Sequence, residues 1–92
     1  MNTNMDIVEV RWDDAWIDTE DYDIEEAKLL KPIRRTTVGF LVAERKDALV
    51  LCTDKFEKDD KCINAPMVIP KGMIIDWWPM VHWKDTFDDM KI

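Results

Sequence analysis

The sequence predicts a single, mainly β domain built around one central hairpin. Two apolar segments, Thr36–Ala43 and Ala48–Cys52, are separated only by the charged residues Glu44–Asp47. A length of 92 residues leaves room for one domain, because a second would be too short to bury its own core. Alternating apolar and polar residues, the period of a half-buried strand, recur on both sides of the hairpin. We therefore expect a strongly bent antiparallel sheet of four or five strands.

The chain before the hairpin supplies one strand and one short helix. Met5–Trp12 alternates between apolar and polar residues, so its valines and Trp12 share one face of a strand. Asp23 is typical of a helix N-cap, and Glu26 three residues later completes a capping box. The apolar residues after Asp23 have helical spacing, and Pro32 ends this pattern. A helix of about two turns is expected here, with an irregular loop as the alternative.

The two arms of the hairpin differ in character. Gly39 inside the first arm is typical of a bulge, a sharp bend or the close approach of another backbone. Ala48–Thr53 in the second arm is apolar on both faces, which favours a central strand covered on both sides. The turn between them contains no glycine, so we expect a loop of three or more residues.

Two further strands follow the hairpin. Ile63–Ile69 resumes the alternation, but Pro66 within it indicates an edge strand or a bulged one, because proline cannot donate to the ladder. Pro70-Lys71-Gly72 is typical of a turn, since proline followed closely by glycine interrupts regular structure. Met73–Trp78 is then the last strand. At this size a bent sheet with one short helix closes most naturally as an SH3-like or Sm-like barrel.

The end of the chain has a different period. Its large apolar residues stand at helical spacing among acidic ones: Met80, Trp83, Phe87 and Met90. We therefore divide the chain into a β-barrel-like domain at residues 1–79 and an acidic amphipathic tail at residues 80–92. The tail is expected to be either helical or disordered.

The acidic balance of the chain limits its partners. The net charge is −7, whereas binding to nucleic acid or to an anionic membrane requires a basic surface. An acidic surface suits plain solubility, or a basic partner that normally receives nucleic acid. The start of the chain has no signal-peptide pattern, and no apolar run approaches membrane-spanning length. Cys52 and Cys62 are then expected to be reduced thiols in a cytoplasm.

Catalytic and metal-binding patterns are poorly represented. The chain has no Ser, and the single His82 would have to pair with Cys52 or Cys62 to activate a nucleophile. Cys52 lies in an apolar strand, which favours an inert core thiol. No zinc spacing is present, and the acids of Asp13–Asp23 lack the glycine and regular alternation of a calcium loop. We expect a protein without enzymatic activity, cofactor or metal.

Two sets of residues are the candidates for binding a ligand or partner. One is cationic and could hold an anion: Arg34, Arg35 and Lys71. The other is aromatic and could contact a partner or stack on a base: Trp16, Trp78 and Trp83. Five Trp residues are many for one small core, so some are expected at an interface. Neighbouring Trp77 and Trp78 must face opposite ways in a regular strand, with one inside and the other outside.

Four short motifs together resemble a known group of proteins. They are Val10-Arg11-Trp12-Asp13-Asp14-Ala15, Thr37-Val38-Gly39-Phe40-Leu41-Val42, Leu49-Val50-Leu51 and Ile69-Pro70-Lys71-Gly72-Met73-Ile74. Their order resembles small uncharacterised proteins of tailed bacteriophages, over most of residues 8–78 and excluding the tail. The group offers no catalytic residues to carry over.

The resemblance implies a phage accessory protein made in the host bacterial cytoplasm. Proteins of this setting commonly bind a host factor, and some counter host defence. The first expectation is therefore a homo-oligomeric protein that binds and inhibits a host defence component. A sponge that sequesters a nucleotide immune signal between Trp side chains and Arg34, Arg35 or Lys71 is one alternative. A virion or assembly protein is the other.

Overall fold

Strands dominate the residues that the structure describes. The structure, a computed structural model, describes residues 5–56, 58 and 61–80. In chain order the strands are β1 (Ile7–Asp14), β2 (Ile33–Glu44), β3 (Ala48–Cys52), β4 (Asp54–Lys55), β5 (Ile63–Asn64), β6 (Met67–Pro70) and β7 (Ile74–Pro79). Helix α1 spans Ile24–Ala27, and a 3₁₀ turn spans Lys71–Met73. The mainly β class predicted from the sequence is confirmed.

Five strands form one antiparallel sheet in the order β6–β3–β2–β1–β7. The 3₁₀ turn connects β6 directly to β7, and these are the two edges of the sheet. In a flat sheet those edges would lie about 19 Å apart, at about 4.8 Å per strand pair. The four residue steps from Pro70 to Ile74 span at most about 14 Å. The sheet must therefore bend strongly, and the turn lies against both β1 and β3.

The inner face of the bent sheet carries the core. Its buried cluster consists of Val8, Val10 and Trp12 from β1, Leu49 and Leu51 from β3, and Ile69 from β6. Partly buried residues pack against this cluster: Leu41, Ile74 and Trp77. The shared face predicted for the valines and Trp12 of β1 is confirmed. The indole Nε1–H of Trp12 donates to Thr37 Oγ1 at 2.9 Å, so the buried ring keeps a hydrogen-bond partner.

The hairpin has the predicted form. The strand β3 lies between β2 and β6 and is buried along most of its length, as its apolar composition predicts. Residues 45–47 connect β2 to β3, and the backbone N–H of Arg45 donates to Ala48 O at 2.8 Å. The guanidinium of Arg45 also bonds the Asp47 carboxylate at 2.7 Å and 3.0 Å. This side-chain pair closes a loop that has no glycine.

Two elements differ from their predicted lengths. Helix α1 has only one turn, although Asp23 caps it through a bond from the Glu25 N–H at 3.0 Å. None of its residues is buried, so no packing stabilises a longer helix. The strand predicted at Ile63–Ile69 is divided by Pro66 into β5, which pairs with β4, and β6, which is an edge of the main sheet. The preceding residue, Ala65, has a φ of 51°, and this left-handed conformation breaks the strand.

The last described strand ends where the predicted domain ends. The strand β7 finishes at Pro79, and the N–H of Met80 donates to Ile7 O at 2.6 Å. The predicted tail therefore lies outside the described residues except for Met80. Among the residues described, no helix is long and apolar enough to span a membrane.

Candidate functional site

The two arginines that were predicted to hold an anion each form an ion pair with an aspartate of the neighbouring strand. The antiparallel β1–β2 register places Asp13 opposite Arg34, whereas Arg35 is opposite Trp12 and reaches Asp14 diagonally. Arg34 Nε bonds Asp13 Oδ1 at 2.7 Å, and Arg35 Nε bonds Asp14 Oδ2 at 2.6 Å. Both arginines are exposed, but their charges are compensated. An incoming phosphate would therefore have to compete with an aspartate for each guanidinium.

The third predicted cation forms a separate ion pair. Lys71 Nζ donates to Glu44 Oε2 at 3.1 Å, and the backbone N–H of Lys71 donates to Asp47 O at 2.9 Å. Glu44 is the last residue of β2, whereas Arg34 and Arg35 lie near its start. The three cations thus form three distinct ion pairs and no common group of uncompensated positive charge.

A further ion pair, which the sequence analysis did not single out, joins β1 to β7. Arg11 donates to both carboxylate oxygens of Asp76, at 2.7 Å from Nε and 2.6 Å from Nη2. The bond from Arg11 holds the pKa of Asp76 below its usual value, and the charge of Arg34 acts in the same direction. The outer face at this end of the sheet is consequently a set of matched charges.

The predicted tryptophans occupy different surroundings. Trp77 packs against the core, whereas Trp78 is opposite Glu9 in the register and is 40% exposed. This confirms that the two neighbouring rings face opposite sides of the sheet. Trp83 lies outside the described residues. Trp16 is far from Trp78 along the strands, because it follows the end of β1 that is remote from Glu9.

Trp16 lines a groove in the connection between β1 and β2. We call this the aromatic groove, and its lining residues are Ala15, Trp16, Ile17, Asp18, Tyr22, Leu30, Lys31 and Pro32. Its volume is about 380 Å³. The indole Nε1–H of Trp16 donates to the backbone carbonyl of Lys31 at 2.6 Å. This bond joins the first and last parts of the connection and sets the orientation of the ring.

A second hydrogen bond positions the other aromatic ring of the groove. The Tyr22 hydroxyl donates to Asp18 Oδ2 at 2.7 Å, and the Glu20 N–H donates to Oδ1 at 3.0 Å. The Tyr22 bond is the main reason that the pKa of Asp18 lies below its usual value, and the backbone bond contributes. The same contact raises the pKa of Tyr22. Asp18 is therefore ionised at neutral pH beside two aromatic rings.

A second, smaller groove adjoins the aromatic groove. It has a volume of about 340 Å³ and is lined by Asp13, Ala15, Pro32, Gly72, Met73, Ile74 and Ile75. Ala15 and Pro32 line both grooves. The connection thus presents a continuous, largely apolar surface from Trp16 to the 3₁₀ turn.

Several residues of this surface were missed by the sequence analysis: Ile17, Tyr22, Leu30 and Pro32. For Ile17 and Tyr22 a signal was present, because these large apolar residues stand among the acids of residues 13–23, before the predicted helix. Such residues have no regular face to bury, so they either fill an irregular loop or remain exposed. Ile17 remains 90% exposed.

Features that would support catalysis or metal binding are sparse in the described part of the chain. Within residues 5–56, 58 and 61–80, no group of three His, Cys, Asp or Glu side chains could hold a metal ion. Cys52 is buried, and burial raises the pKa of its thiol, which disfavours the nucleophilic thiolate. Neither Cys52 nor Cys62 forms a disulfide in the described structure. His82 lies outside it.

No protein-family model, curated protein sequence or solved structure matches this chain. The surface of the β1–β2 connection combines two aromatic rings oriented by hydrogen bonds, exposed aliphatic side chains and the ionised Asp18 carboxylate.

Proposed function

We propose that the protein is a non-enzymatic accessory protein of a bacteriophage that binds and inhibits a component of its bacterial host. The component would belong to the host's defence against phage, and the place of action would be the host cytoplasm. The phage setting is supported by the resemblance of the four sequence motifs. The binding role is supported by the surface of the β1–β2 connection.

The observation that carries the proposal is the concentration of exposed apolar side chains in one short connection. Within residues 15–32, six large hydrophobic side chains are at least 38% exposed: Trp16, Ile17, Tyr22, Ile24, Leu29 and Leu30. Apolar surface in water costs roughly 25 cal/mol per Å², so a concentrated patch favours burial against a partner. Trp and Tyr are also enriched in the energetically important parts of protein interfaces.

A nucleotide-sequestering oligomer is the alternative from a different functional class. It would stack a base on Trp16 or Trp78 and hold phosphate with the predicted cations. Because Arg34, Arg35 and Lys71 are each bound to a carboxylate, phosphate binding would first have to break those ion pairs. This cost favours a protein partner over a nucleotide. A virion or assembly role is the remaining alternative, and assembly of several copies of the chain is compatible with all three.

The proposal is tested by expressing the protein in bacterial strains that each carry one defined anti-phage defence system. Phages that the system restricts are then plated on each strain. We expect restored plaque formation on at least one strain, and a stoichiometric defence protein retained on the purified protein in native mass spectrometry. The same gene with an early stop codon is the control for expression.

A triple variant separates the protein partner from the nucleotide. Arg34→Gln, Arg35→Gln and Lys71→Gln together remove the predicted phosphate contacts at exposed positions. An inhibitor of a protein keeps its plaque-restoring activity in this variant. A sponge loses it, together with a small mass increment that disappears on denaturation. Unchanged plating on every strain contradicts the inhibitor proposal, and recovery of the protein in purified virions would then support an assembly role.

A further inference from the structure

We infer that the aromatic groove binds a Lys- or Arg-containing segment of a protein partner, with the cationic side chain lying against Trp16 and Tyr22. This inference rests on the proposed function, since it names the chemistry of the partner that such an inhibitor would recognise. It is carried by the geometry of the groove and by the charge around it.

Both rings of the groove are oriented by local hydrogen bonds in the unbound protein. They donate to groups of the same connection, Trp16 to Lys31 O at 2.6 Å and Tyr22 to Asp18 Oδ2 at 2.7 Å. The rings are 38% and 41% exposed respectively, so part of each surface is open to a ligand. Aromatic rings held in this way lose little conformational entropy on binding.

The charge around the groove is strongly negative. The segment that contains it, residues 15–32, has six acidic and two basic residues, a net charge of −4. Asp18 lines the groove itself. Glu20, Asp21 and Glu26 form no ion pair with any described residue. Lys31 also lines the groove, and with Lys28 it offsets part of the negative charge, but the segment keeps its net charge of −4. The field of the segment therefore favours a cation.

A lysine or arginine side chain matches this combination of surfaces. Its aliphatic stem can pack on Ile17 and Leu30, and its charged end can lie over an aromatic face near the Asp18 carboxylate. Nucleic acid and anionic lipid are disfavoured by the same negative charge. A simple apolar peptide would cover the ionised Asp18 without bringing a positive charge to it, although Tyr22 and Glu20 would still donate to its carboxylate.

Two other occupants fit the groove less well. In a symmetric dimer through the groove, two surfaces of net charge −4 would face each other. The chain's own residues 81–92 follow Met80, which is bonded to Ile7 at the opposite end of β1 from Ala15. That segment also contains three aspartates and two lysines. A basic segment of a different protein is therefore the occupant that the charges favour.

The test begins with selection of a random dodecapeptide display library on the immobilised full-length protein. We expect enriched peptides to combine Lys or Arg with neighbouring apolar residues. The most enriched peptide is then titrated by calorimetry beside a copy in which Gln replaces each Lys and Arg. We expect the Gln copy to bind about tenfold more weakly, because the cation–π and carboxylate contacts are lost. In two-dimensional NMR spectra, the peptide should shift the indole N–H signal of Trp16.

Three variants locate the binding in the groove. Trp16→Ala should weaken binding of the peptide about tenfold. Ile17→Ser should weaken it about threefold without disturbing the fold, because this side chain is 90% exposed. Asp18→Asn should weaken it about threefold at low salt while keeping an acceptor for Tyr22.

Two control variants carry matched changes outside the groove. Ile24→Ser removes a side chain that is 73% exposed in the same connection but does not line the groove. Asp6→Asn makes the same charge change as Asp18→Asn, just before the other end of β1. Both should leave the affinity within about twofold of the wild type.

The inference is overturned if selection enriches no peptide, or only peptides without Lys and Arg. Equal binding by the wild type, Trp16→Ala and Ile17→Ser overturns it as well. So does a dimer in sedimentation velocity that Ile17→Ser dissociates, because the groove would then hold a second copy. Plaque restoration that is undiminished in the double variant Trp16→Ala with Ile17→Ser contradicts the groove but leaves the proposed function standing. Groove-dependent peptide binding without any effect on plating contradicts the proposed function instead.

Discussion

Gly39 lies where the backbone of β3 passes close to that of β2. A Cβ atom at this position would lie 2.9 Å from the carbonyl oxygen of Cys52. That distance is shorter than ordinary contact, and the obstructing atom belongs to the backbone of a central strand. Gly39 is therefore required by a steric contact that only the pairing of β2 with β3 creates. Gly72, in the 3₁₀ turn, has open space in the same direction.

Gly39→Ala should destabilise the fold by about 1–3 kcal/mol, because the β2–β3 pairing must shift to admit the methyl group. Gly72→Ala is the matched control and should change stability by less than about 0.5 kcal/mol. Urea denaturation of the three proteins measures both effects. Equal urea midpoints for the two variants would show that a methyl group at position 39 does not clash with the backbone of β3.

The connection between β1 and β2 differs from the sheet in the contacts that hold it together. It contains one helical turn, α1, and none of its residues is buried. Its order comes instead from local hydrogen bonds, which join Trp16 to Lys31, Tyr22 to Asp18 and Glu25 to Asp23. Elements with few buried apolar contacts open at low free-energy cost. The groove can therefore lose its shape while the sheet stays folded.

Trp16→Phe tests this independence, because it keeps an aromatic ring and removes the donor to Lys31 O. Hydrogen exchange should become faster in residues 15–32, with a loss of global stability below about 1 kcal/mol. Trp12→Phe is the matched comparison, since it removes a donor to Thr37 from a ring that is only 6% exposed. That variant should lower global stability by about 1–3 kcal/mol. A larger global loss in Trp16→Phe than in Trp12→Phe would show that the connection unfolds with the sheet.

At the scale of the whole molecule, charge pairing connects the strands of an acidic protein. Arg11 joins β1 to β7, Arg34 and Arg35 join β2 to β1, and Lys71 joins the 3₁₀ turn to β2. These side chains are substantially exposed, so each pair adds little stability and is weakened by salt. Among their carboxylates, Asp76 has its pKa lowered, chiefly by the bond from Arg11, so this pair contributes to the pH dependence of stability.

Stability should fall as the pH is lowered below about 4. Hydrogen bonds hold the pKa values of Asp18, Asp47 and Asp76 below their usual values, chiefly from Tyr22, Arg45 and Arg11 respectively. The folded state therefore binds fewer protons than the unfolded state in this range. The stabilisation is complete above the unfolded pKa and is lost as the pH falls through the folded values.

Urea midpoints between neutral pH and about pH 2 measure this effect. Arg11→Gln should reduce the fall of the urea midpoint at low pH, because Asp76 loses the bond that lowers its pKa. Lys46→Gln removes the same charge from a residue without an ion pair in the described structure and is the control. If the urea midpoint fell equally at low pH in the wild type and both variants, Asp76 would be excluded as a contributor to the pH dependence of stability.

The sequence by itself determined the strands and their faces. Alternation predicted one shared face for the valines and Trp12 of β1, and uniform apolarity predicted a central position for β3. Pro66 indicated an edge strand or a bulged one, and β6, which begins after it, is an edge of the sheet. These predictions hold because side-chain direction in a strand follows from position alone, and because proline lacks a donor wherever it stands. The capping role of Asp23 is equally local.

Only the tertiary structure decided which candidate side chains are free to act. Sequence alone could not show that Arg34 and Arg35 are already bound, because their aspartates lie 21 residues away and meet them through the β1–β2 register. It could not place Lys31 O against the Trp16 indole either, because an irregular connection has no period from which to predict contacts. Local periodicity depends on residues that are close in the sequence, whereas a binding surface depends on contacts that exist only once the strands have paired.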